Sequence, residues 1–565
     1  MEPARRFDPL LVVAVVLFLV LGWRIADAGP TWHEGAAAAP NNGHRVVSMT
    51  APAPAQGLPI EPTCDGGVSV RVSSVRPVWV LCVGDQALPL MVTSYASGLL
   101  TFPLALLSPW HHDDTFTMRR LWLLEGALCI VALYRLVQRL GSQRAARATA
   151  FALATSSAFV VPCAFLFPYE TSPLVLVLLG AWLWSPAQAP PWRAVLGAFC
   201  FGLALLSNVK AVFLLVPLAV LAWREGVRFP KGSPPARAGM AAAFVLGALP
   251  LLVFAFLDPA RGLSMQATGR LSGLLSNLNL AKLGAEGLAL YLYAADLPAL
   301  SELSQRGGSA RFELSWLPMA IPVTWCMAVA VARLAGKKLG SPLSGAAGVL
   351  LLSFVAVSWL LYDQHPAGNY APLFAVFGLT VGALVYDLEA RRPRLAVAAA
   401  AVLCASTAWN LVRRGDLAAN TDFSFNANVQ RDLAAFLRER PDAERPVLTV
   451  TYNQSGVLDA LGHGRVRTYI AHPLFETCGR PGEDVEACVT ARWSWLLSHR
   501  GALPMRVVLP VGVAAVDHPR QVIERLEPRL LDAAAAASVS ATVEGTFKTP
   551  SGAAGVVLYR LAAVE

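Results

Sequence analysis

The stretch Leu10–Gly22 (LLVVAVVLFLVLG) contains no polar side chain and follows the basic residues Arg5 and Arg6. A helix needs about 20 apolar residues to cross the roughly 30 Å hydrocarbon core of a bilayer, and its backbone polar groups must be satisfied within the segment. The two arginines place the N-terminus in the cytoplasm. The pattern favours an uncleaved first transmembrane helix over a cleaved signal peptide, because many apolar runs follow it.

The rest of the chain has the same character. Of its 565 residues, 55% are hydrophobic and only 15% are charged, whereas a soluble protein carries about 25% charged residues. Together with the first run, the sequence predicts an α-helical polytopic membrane protein with about 11 transmembrane helices. The further runs lie at about 120–137, 148–167, 172–185, 194–207, 211–222, 240–257, 314–332, 346–361, 370–386 and 395–411.

The basic residues indicate the orientation of these runs. Strongly basic loops, such as the one from Arg135 to Arg147, follow every second apolar run and so fall on one side, as expected of cytoplasmic loops. Arg413 and Arg414 are the exception, since the count places them outside. The net charge of +9 is therefore a topology signal, and the lack of a basic patch interleaved with aromatics excludes nucleic acid as a partner. We expect a multi-pass protein of the bacterial inner (plasma) membrane.

The chain divides into two predicted domains. Residues 1–411 form the transmembrane domain, with a first periplasmic loop over 27–118 that holds a juxtamembrane or re-entrant element, and a second large periplasmic loop over 258–313. Residues 415–565 predict a small periplasmic α/β domain, because β-branched runs alternate with runs of helical spacing. Its predicted strands are Arg445–Tyr452, Met505–Val511 and Gly555–Leu561, and its predicted helices are Asn428–Arg438 and Gln521–Leu531.

Two pairs of cysteines lie in polar segments. Cys64 and Cys82 share the first loop, and Cys478 and Cys488 lie ten residues apart near the C-terminus. In an oxidising periplasm each pair forms a disulfide, while a zinc site is the other interpretation. The remaining five cysteines lie in apolar runs and are expected to pack as small hydrophobes.

Polar residues beside or within apolar runs are the candidate functional residues of such a protein. On the predicted outer side, carboxylates occur together with cations. This combination suits a reaction on an anionic, membrane-held substrate, in which a carboxylate deprotonates a hydroxyl and cations hold a phosphate leaving group. The candidates are Asp27, Glu34, Asp85, Tyr95, Lys210, Arg270 and His365.

The order of these features resembles the C-type (GT-C) polytopic glycosyltransferases, in the family 39-like group of the protein O-mannosyltransferases and bacterial aminoarabinose transferases. Gly84–Leu90 (GDQALPL) is similar to the family's juxtamembrane motif, and Ser94–Gly98 to a tyrosine–glycine element of some members. Arg119 or Arg120 heads the next span, as the family's arginine does. Leu203–Val212 has Lys210 in the lysine place, and Gln364–Tyr370 resembles the family's late outer loop.

The resemblance implies a glycosyltransferase that moves a sugar from a polyprenyl-phosphate donor to an acceptor at the periplasmic face. The base stays open among Asp85, Asp27 and Glu34, since the family's usual acidic pair is absent here. Tyr95, Lys210, Arg270 and His365 would bind substrate. No cofactor is required if the cations act alone, although some branches of the family use a divalent metal.

Two alternatives remain open from the sequence. One is a non-enzymatic transporter or cell-envelope assembly scaffold, for which Glu125, inside an apolar run, is the main ionisable candidate. The other is a surface-polysaccharide ligase or polymerase that shares the donor chemistry. The acceptor, whether lipid, glycan or protein, is not specified by the sequence.

Overall fold

The structure is a computed structural model of the whole chain. It describes, besides some isolated residues, the ranges 8–26, 67–72, 79–84, 86–91, 115–164, 168–184, 190–208, 234–257, 317–361, 375–420, 427–442, 447–450, 468–475, 482–499, 503–511, 520–548 and 555–564.

Most of the described residues before position 421 are helical, as the apolar runs predict. The helices are α1 (Pro9–Ala26), α2 (Thr115–Leu140), α3 (Gln143–Thr155), α4 (Ser157–Ala164), α5 (Pro168–Trp184), α6 (Pro191–Ser207), α7 (Pro234–Leu257), α8 (Leu317–Leu334), α9 (Pro342–Leu361), α10 (Val376–Glu389) and α11 (Pro393–Asn420). Of the predicted run at 211–222, residues 211, 212, 214–216, 218 and 219 are described, and they are helical.

Within the described ranges, four helices are long and apolar enough to cross a membrane, namely α1, α2, α7 and α11. The predicted span at 148–167 is instead the pair α3 and α4, which bends by 55° at Ser156. Several further helices are apolar but shorter, among them α5, α6 and α9. The chain is therefore a multi-pass helical protein, and the total of about eleven spans stays a prediction.

Close backbone contact joins α6 to α7. A Cβ atom added at Gly202 would lie 2.2 Å from the Phe244 carbonyl oxygen, and one added at Gly247 would lie 2.6 Å from the Phe199 carbonyl oxygen. Small residues at helix interfaces are typical of membrane proteins, because lipid provides little hydrophobic drive and close packing has to hold the helices together. Glycine is thus required at this crossing.

The predicted first loop contains a small sheet that the sequence analysis did not predict. Strands β1 (Gly67–Val72), β2 (Trp79–Gly84) and β3 (Gln86–Met91) pair in sequence order, each antiparallel to the next. The first residues of the predicted juxtamembrane element therefore form the edge strand β3. Cys82 of β2 is fully buried and disulfide-bonded, whereas its predicted partner Cys64 lies outside the described residues.

The C-terminal residues form a five-stranded mixed sheet in the order β5-β4-β6-β8-β7. Strand β4 is parallel to β5 and β6, while β8 runs antiparallel to β6 and β7. The described elements are helices α12 (Ala427–Arg438), α13 (His472–Phe475), α14 (Val485–Ser498) and α15 (Arg520–Ala536), and strands β4 (Val447–Thr449), β5 (Thr468–Ile470), β6 (Met505–Val511), β7 (Val539–Lys548) and β8 (Gly555–Ala563).

Among the described residues of this C-terminal unit, the core is apolar with one charged exception. Trp493 of α14 is fully buried and donates its indole N–H to the Leu526 carbonyl oxygen. Arg506 of β6 is only 2% exposed, and its guanidinium pairs with the carboxylates of Asp442 at 2.6 Å and Glu544 at 2.7 Å. Cys478 and Cys488 form a disulfide, so the zinc interpretation of this pair was wrong.

Candidate functional site

The residues predicted to carry the chemistry lie outside the described part of the chain, so their positions stay predictions. They are Asp27, Glu34, Asp85, Tyr95, Lys210, Arg270 and His365. Among the described residues, no group of three or more His, Cys, Asp or Glu side chains could hold a metal. The geometry of the candidate site is therefore built from the described residues that flank it.

Three segments predicted to lie outside meet in one apolar cluster. Leu90 of β3 packs against the cluster formed by Leu206 at the end of α6 with Leu251 and Phe254 near the end of α7. Asp85 precedes Leu90 by five positions, and Lys210 follows Leu206 by four. The first-loop sheet and the ends of α6 and α7 thus meet at one end of the helix bundle.

Arg119 fixes the end of α1 on the same side. It is fully buried near the start of α2, and its Nη1 donates to the Ala26 carbonyl oxygen at 2.9 Å. The last carbonyls of a helix lack intrahelical partners and carry its negative dipole end, so a guanidinium is well placed there. Asp27 is the next residue along the chain. Arg120 lies 4.7 Å from the centre of the Trp23 ring in a cation–π contact.

A polar contact lies deeper between α2 and α5. The Thr171 hydroxyl donates to Glu125 Oε2 at 2.6 Å and accepts from Trp122 Nε1 at 3.2 Å. Glu125 lies six residues beyond Arg119, or about 9 Å along a helix. The carboxylate that a transporter would need within the membrane is thus bonded to a neighbouring helix. This contact favours a structural role for Glu125 over a role in transport.

The opposite end of α1 is held by a carboxylate that sequence reasoning missed. Asp8 accepts from Arg147 at 2.9 Å, from the Tyr134 hydroxyl at 2.5 Å and from the Leu10 backbone N–H at 3.2 Å. Burial opposes its ionisation, but these donors outweigh that effect and hold the pKa of Asp8 well below its usual range. The signal was an Asp directly before Pro9, a typical helix start.

A second carboxylate joins helices at the predicted cytoplasmic side. Asp387 of α10 accepts from Trp325 Nε1 and the Ser344 hydroxyl, both at 2.7 Å, and from the Ser341 backbone N–H at 2.8 Å. Its partners come from α8 and from the start of α9. Asp8 and Asp387 thus both join helices at the predicted cytoplasmic side.

Comparisons with known proteins relate part of the chain to one family and nearly its whole length to one fold. Residues 100–254, which include Arg119, Glu125 and the α6–α7 contact, match the family described as Dolichyl-phosphate-mannose-protein mannosyltransferase. No curated protein sequence matches the chain. The match covers α2 to α6 and most of α7.

Solved structures resemble the chain over nearly its whole length. The apo structure of ArnT from Cupriavidus metallidurans aligns with a TM-score of 0.50 and 12% identity over 97% of both chains. The same protein bound to undecaprenyl phosphate aligns with a TM-score of 0.46 and 14% identity, again over 97% of both chains. An Archaeoglobus fulgidus oligosaccharyltransferase tethered with an acceptor peptide aligns with a TM-score of 0.49 and 14% identity, over 97% of this chain and 73% of that one. The likeness to the apo structure concerns the fold, and it confirms the predicted resemblance at that level.

Proposed function

We propose that this chain, which has the fold of the C-type membrane glycosyltransferases, transfers a sugar from a polyprenyl-phosphate donor to an acceptor at the periplasmic face. The observation that carries the proposal is the mannosyltransferase family match over 100–254, set within a fold shared along the chain. The ArnT protein of that fold has been solved with undecaprenyl phosphate, a lipid phosphate of the class proposed here for the donor.

The proposed reaction needs a base and a site for phosphate. A carboxylate of the first loop, Asp85, Asp27 or Glu34, takes the proton of the acceptor hydroxyl. The acceptor oxygen bonds to the anomeric carbon of the sugar while the bond from that carbon to the phosphate oxygen breaks. The electron pair leaves with polyprenyl phosphate, whose growing negative charge cations stabilise.

Lys210, Arg270 and His365 are the proposed partners of the phosphate, and Tyr95 is the proposed contact to the donor. Lys210 suits this role because the end of α6 meets the first-loop sheet at Leu90. Residues close in sequence to Lys210 and to Asp85 are therefore close in space. The proposal includes about eleven spans, a cytoplasmic N-terminus and a periplasmic C-terminal unit in the inner membrane. A divalent metal stays open as an additional partner.

The test is a transfer assay on the full chain reconstituted in lipid nanodiscs. A radiolabelled sugar on polyprenyl phosphate is supplied with a bacterial envelope extract as the source of acceptors, and labelled product and released polyprenyl phosphate are measured. We expect Asp85→Asn, Asp27→Asn or Glu34→Gln to abolish transfer without loss of folded protein. Lys210→Met is expected to weaken binding of the donor.

A matched control is Glu483→Gln, which neutralises an exposed carboxylate of the C-terminal unit. This variant should keep full activity. Full activity in all three first-loop variants would reject the proposed base. An unaltered chain that releases no polyprenyl phosphate with any acceptor fraction would contradict the proposed function.

A further inference from the structure

The first-loop sheet carries an open apolar face. In the antiparallel register, Val68 pairs with Val83 and Val70 pairs with Leu81. Cross-strand partners point to the same side of a sheet, and alternate residues of a strand share a face, so these four aliphatic side chains form one surface. We call it the valine face. Val68 is 79% exposed, and Val70 and Val83 are each 44% exposed.

The other face of the same strands is turned inward. Cys82 pairs with Ser69 between the valine pairs, and Cys82 is fully buried and disulfide-bonded. A two-sided sheet in water normally buries its apolar face and exposes its polar face. Here the aliphatic face is the open one, which indicates a surface that meets an apolar environment rather than water.

The attachment of the sheet places this face near lipid. Leu90 of β3 packs on the ends of α6 and α7, through Leu206 and Phe254. Two residues beyond Phe254, Phe256 is 85% exposed, at the end of an apolar helix that also exposes Leu246 and Val253. The lipid-facing side of α7 therefore continues to the level at which the sheet is attached.

We propose that the valine face lies on the outer leaflet of the bilayer, so that the first loop is seated at the lipid surface. The occupant is the bilayer itself, because the sheet is joined to a lipid-facing helix end and its open side chains are aliphatic. This seating would hold the loop that contains Asp85 at the depth where the headgroup of a membrane-held substrate lies. The proposal concerns the placement of the sheet and does not depend on the sugar-transfer reaction.

The test uses a fluorescent probe in the full chain. Val68→Cys is labelled with a bimane maleimide in nanodiscs, and quenching is compared between brominated lipids and aqueous iodide. The described free cysteines are buried or half-buried, and unsubstituted protein serves as the labelling blank. Val543→Cys is the matched control, since Val543 is a 55% exposed valine on strand β7 of the C-terminal unit.

We expect the probe at position 68 to lose fluorescence to brominated lipid and to be protected from iodide, with the reverse at position 543. Val70→Cys and Val83→Cys should behave like Val68→Cys, whereas a folding defect would appear as lost solubility of the labelled protein. Iodide quenching at 68, 70 and 83 as strong as at 543, without quenching by lipid, would overturn the proposal. The proposal would also be overturned if the probe were protected from both quenchers and this protection were lost when the chain is diluted to single molecules. That result would assign the valine face to contact with a second copy of the chain.

Discussion

The helical region and the C-terminal unit solve the same problem of a buried charge in different ways. In the helical region, Asp8 is surrounded by donors from α2 and α3, and the helices meet through glycines such as Gly202. In the C-terminal unit, Arg506 lies inside a sheet, paired with two carboxylates and enclosed by an apolar core. Lipid provides little drive for helices to associate, so close contact and hydrogen bonds join them, whereas water drives the sheet to bury its apolar side chains.

The largest expected effect tests the charge inside the sheet. Arg506→Ala leaves the carboxylates of Asp442 and Glu544 without their buried partner, which typically costs about 3–5 kcal/mol in the free energy of unfolding. Hydrogen exchange of peptides that cover β6 and β8, measured on the full chain, should show the loss of protection. Arg525→Ala is the control, since its pair with Glu486 is 3.7 Å long and exposed, and such pairs contribute about 0–1 kcal/mol. Equal exchange in both variants would remove the distinction between the two sites.

The next effect concerns the pH dependence of the same unit. Burial and the hydrogen bond to Glu527 raise the pKa of Tyr559 to about 12, above its usual value near 10. The folded state thus holds the phenol proton more tightly than the unfolded state, so this stabilisation is complete below about pH 10 and is lost as the pH rises towards 12. A difference of this size corresponds to roughly 2–3 kcal/mol. The midpoint of thermal unfolding from pH 9 to 11 should depend less on pH in Tyr559→Phe than in the unaltered chain. Identical pH profiles of the two proteins would contradict the proposed role of Tyr559.

A smaller effect tests the helix contact. Gly202→Ala places a Cβ atom 2.2 Å from the Phe244 carbonyl oxygen, so α6 and α7 must separate. Overpacking of this kind costs about 1–3 kcal/mol. Gly239→Ala on α7 is the matched control, because the nearest atom to its added Cβ lies at 3.7 Å. Thermal stability in nanodiscs should fall only for the first variant, and a fall in both or in neither would show that close contact is not what joins these helices.

The smallest effect tests a single polar contact within the membrane region. Thr171→Val removes the hydroxyl that joins Trp122 to Glu125, and interhelical hydrogen bonds in membranes average about 0.6 kcal/mol. The midpoint of thermal unfolding should therefore shift only slightly. Thr171→Ser should restore it, since the hydroxyl returns. A loss as large as that of Arg506→Ala would mean that a buried carboxylate is as costly to leave in lipid as in the soluble core.

Sequence patterns predicted elements well where the pattern is local. Strand β6 occupies Met505–Val511, the predicted range, because a β-branched run suits a buried strand. The break at Ser156 was not predicted, since the apolar run at 148–167 reads as one span. The residues beside this break bond to α11, with Thr155 and Thr407 hydroxyls 2.6 Å apart and Asn410 donating to Ser157. Those partners lie some 250 positions away, so no local pattern could reveal them.

For the candidate site too, the sequence predicted some features and missed others. The resemblance singled out the pair Arg119 and Arg120, and the structure places Arg119 against the end of α1, next to Asp27 in the chain. The first-loop sheet was missed, although the alternation of Val68, Val70 and Val72 in GVSVRV is a strand pattern. The Pro and Gly residues that surround this segment predict a polar loop instead. The relation of Asp85 to Lys210 stays a prediction, although Leu90 packs against the cluster that contains Leu206.

The sequence by itself predicted a multi-pass helical membrane protein, because many apolar runs with few charges suit a bilayer and satisfy their backbone polar groups there as helices. It also indicated, through its basic loops, which ends of the runs face the same side. Only the tertiary structure decided which polar groups meet, such as Asp8 with Tyr134 and Arg147, and Thr171 with Glu125. Hydrophobicity and charge are properties of a single segment, so the sequence of that segment reveals them. A hydrogen bond between helices far apart in the chain depends on how those helices pack.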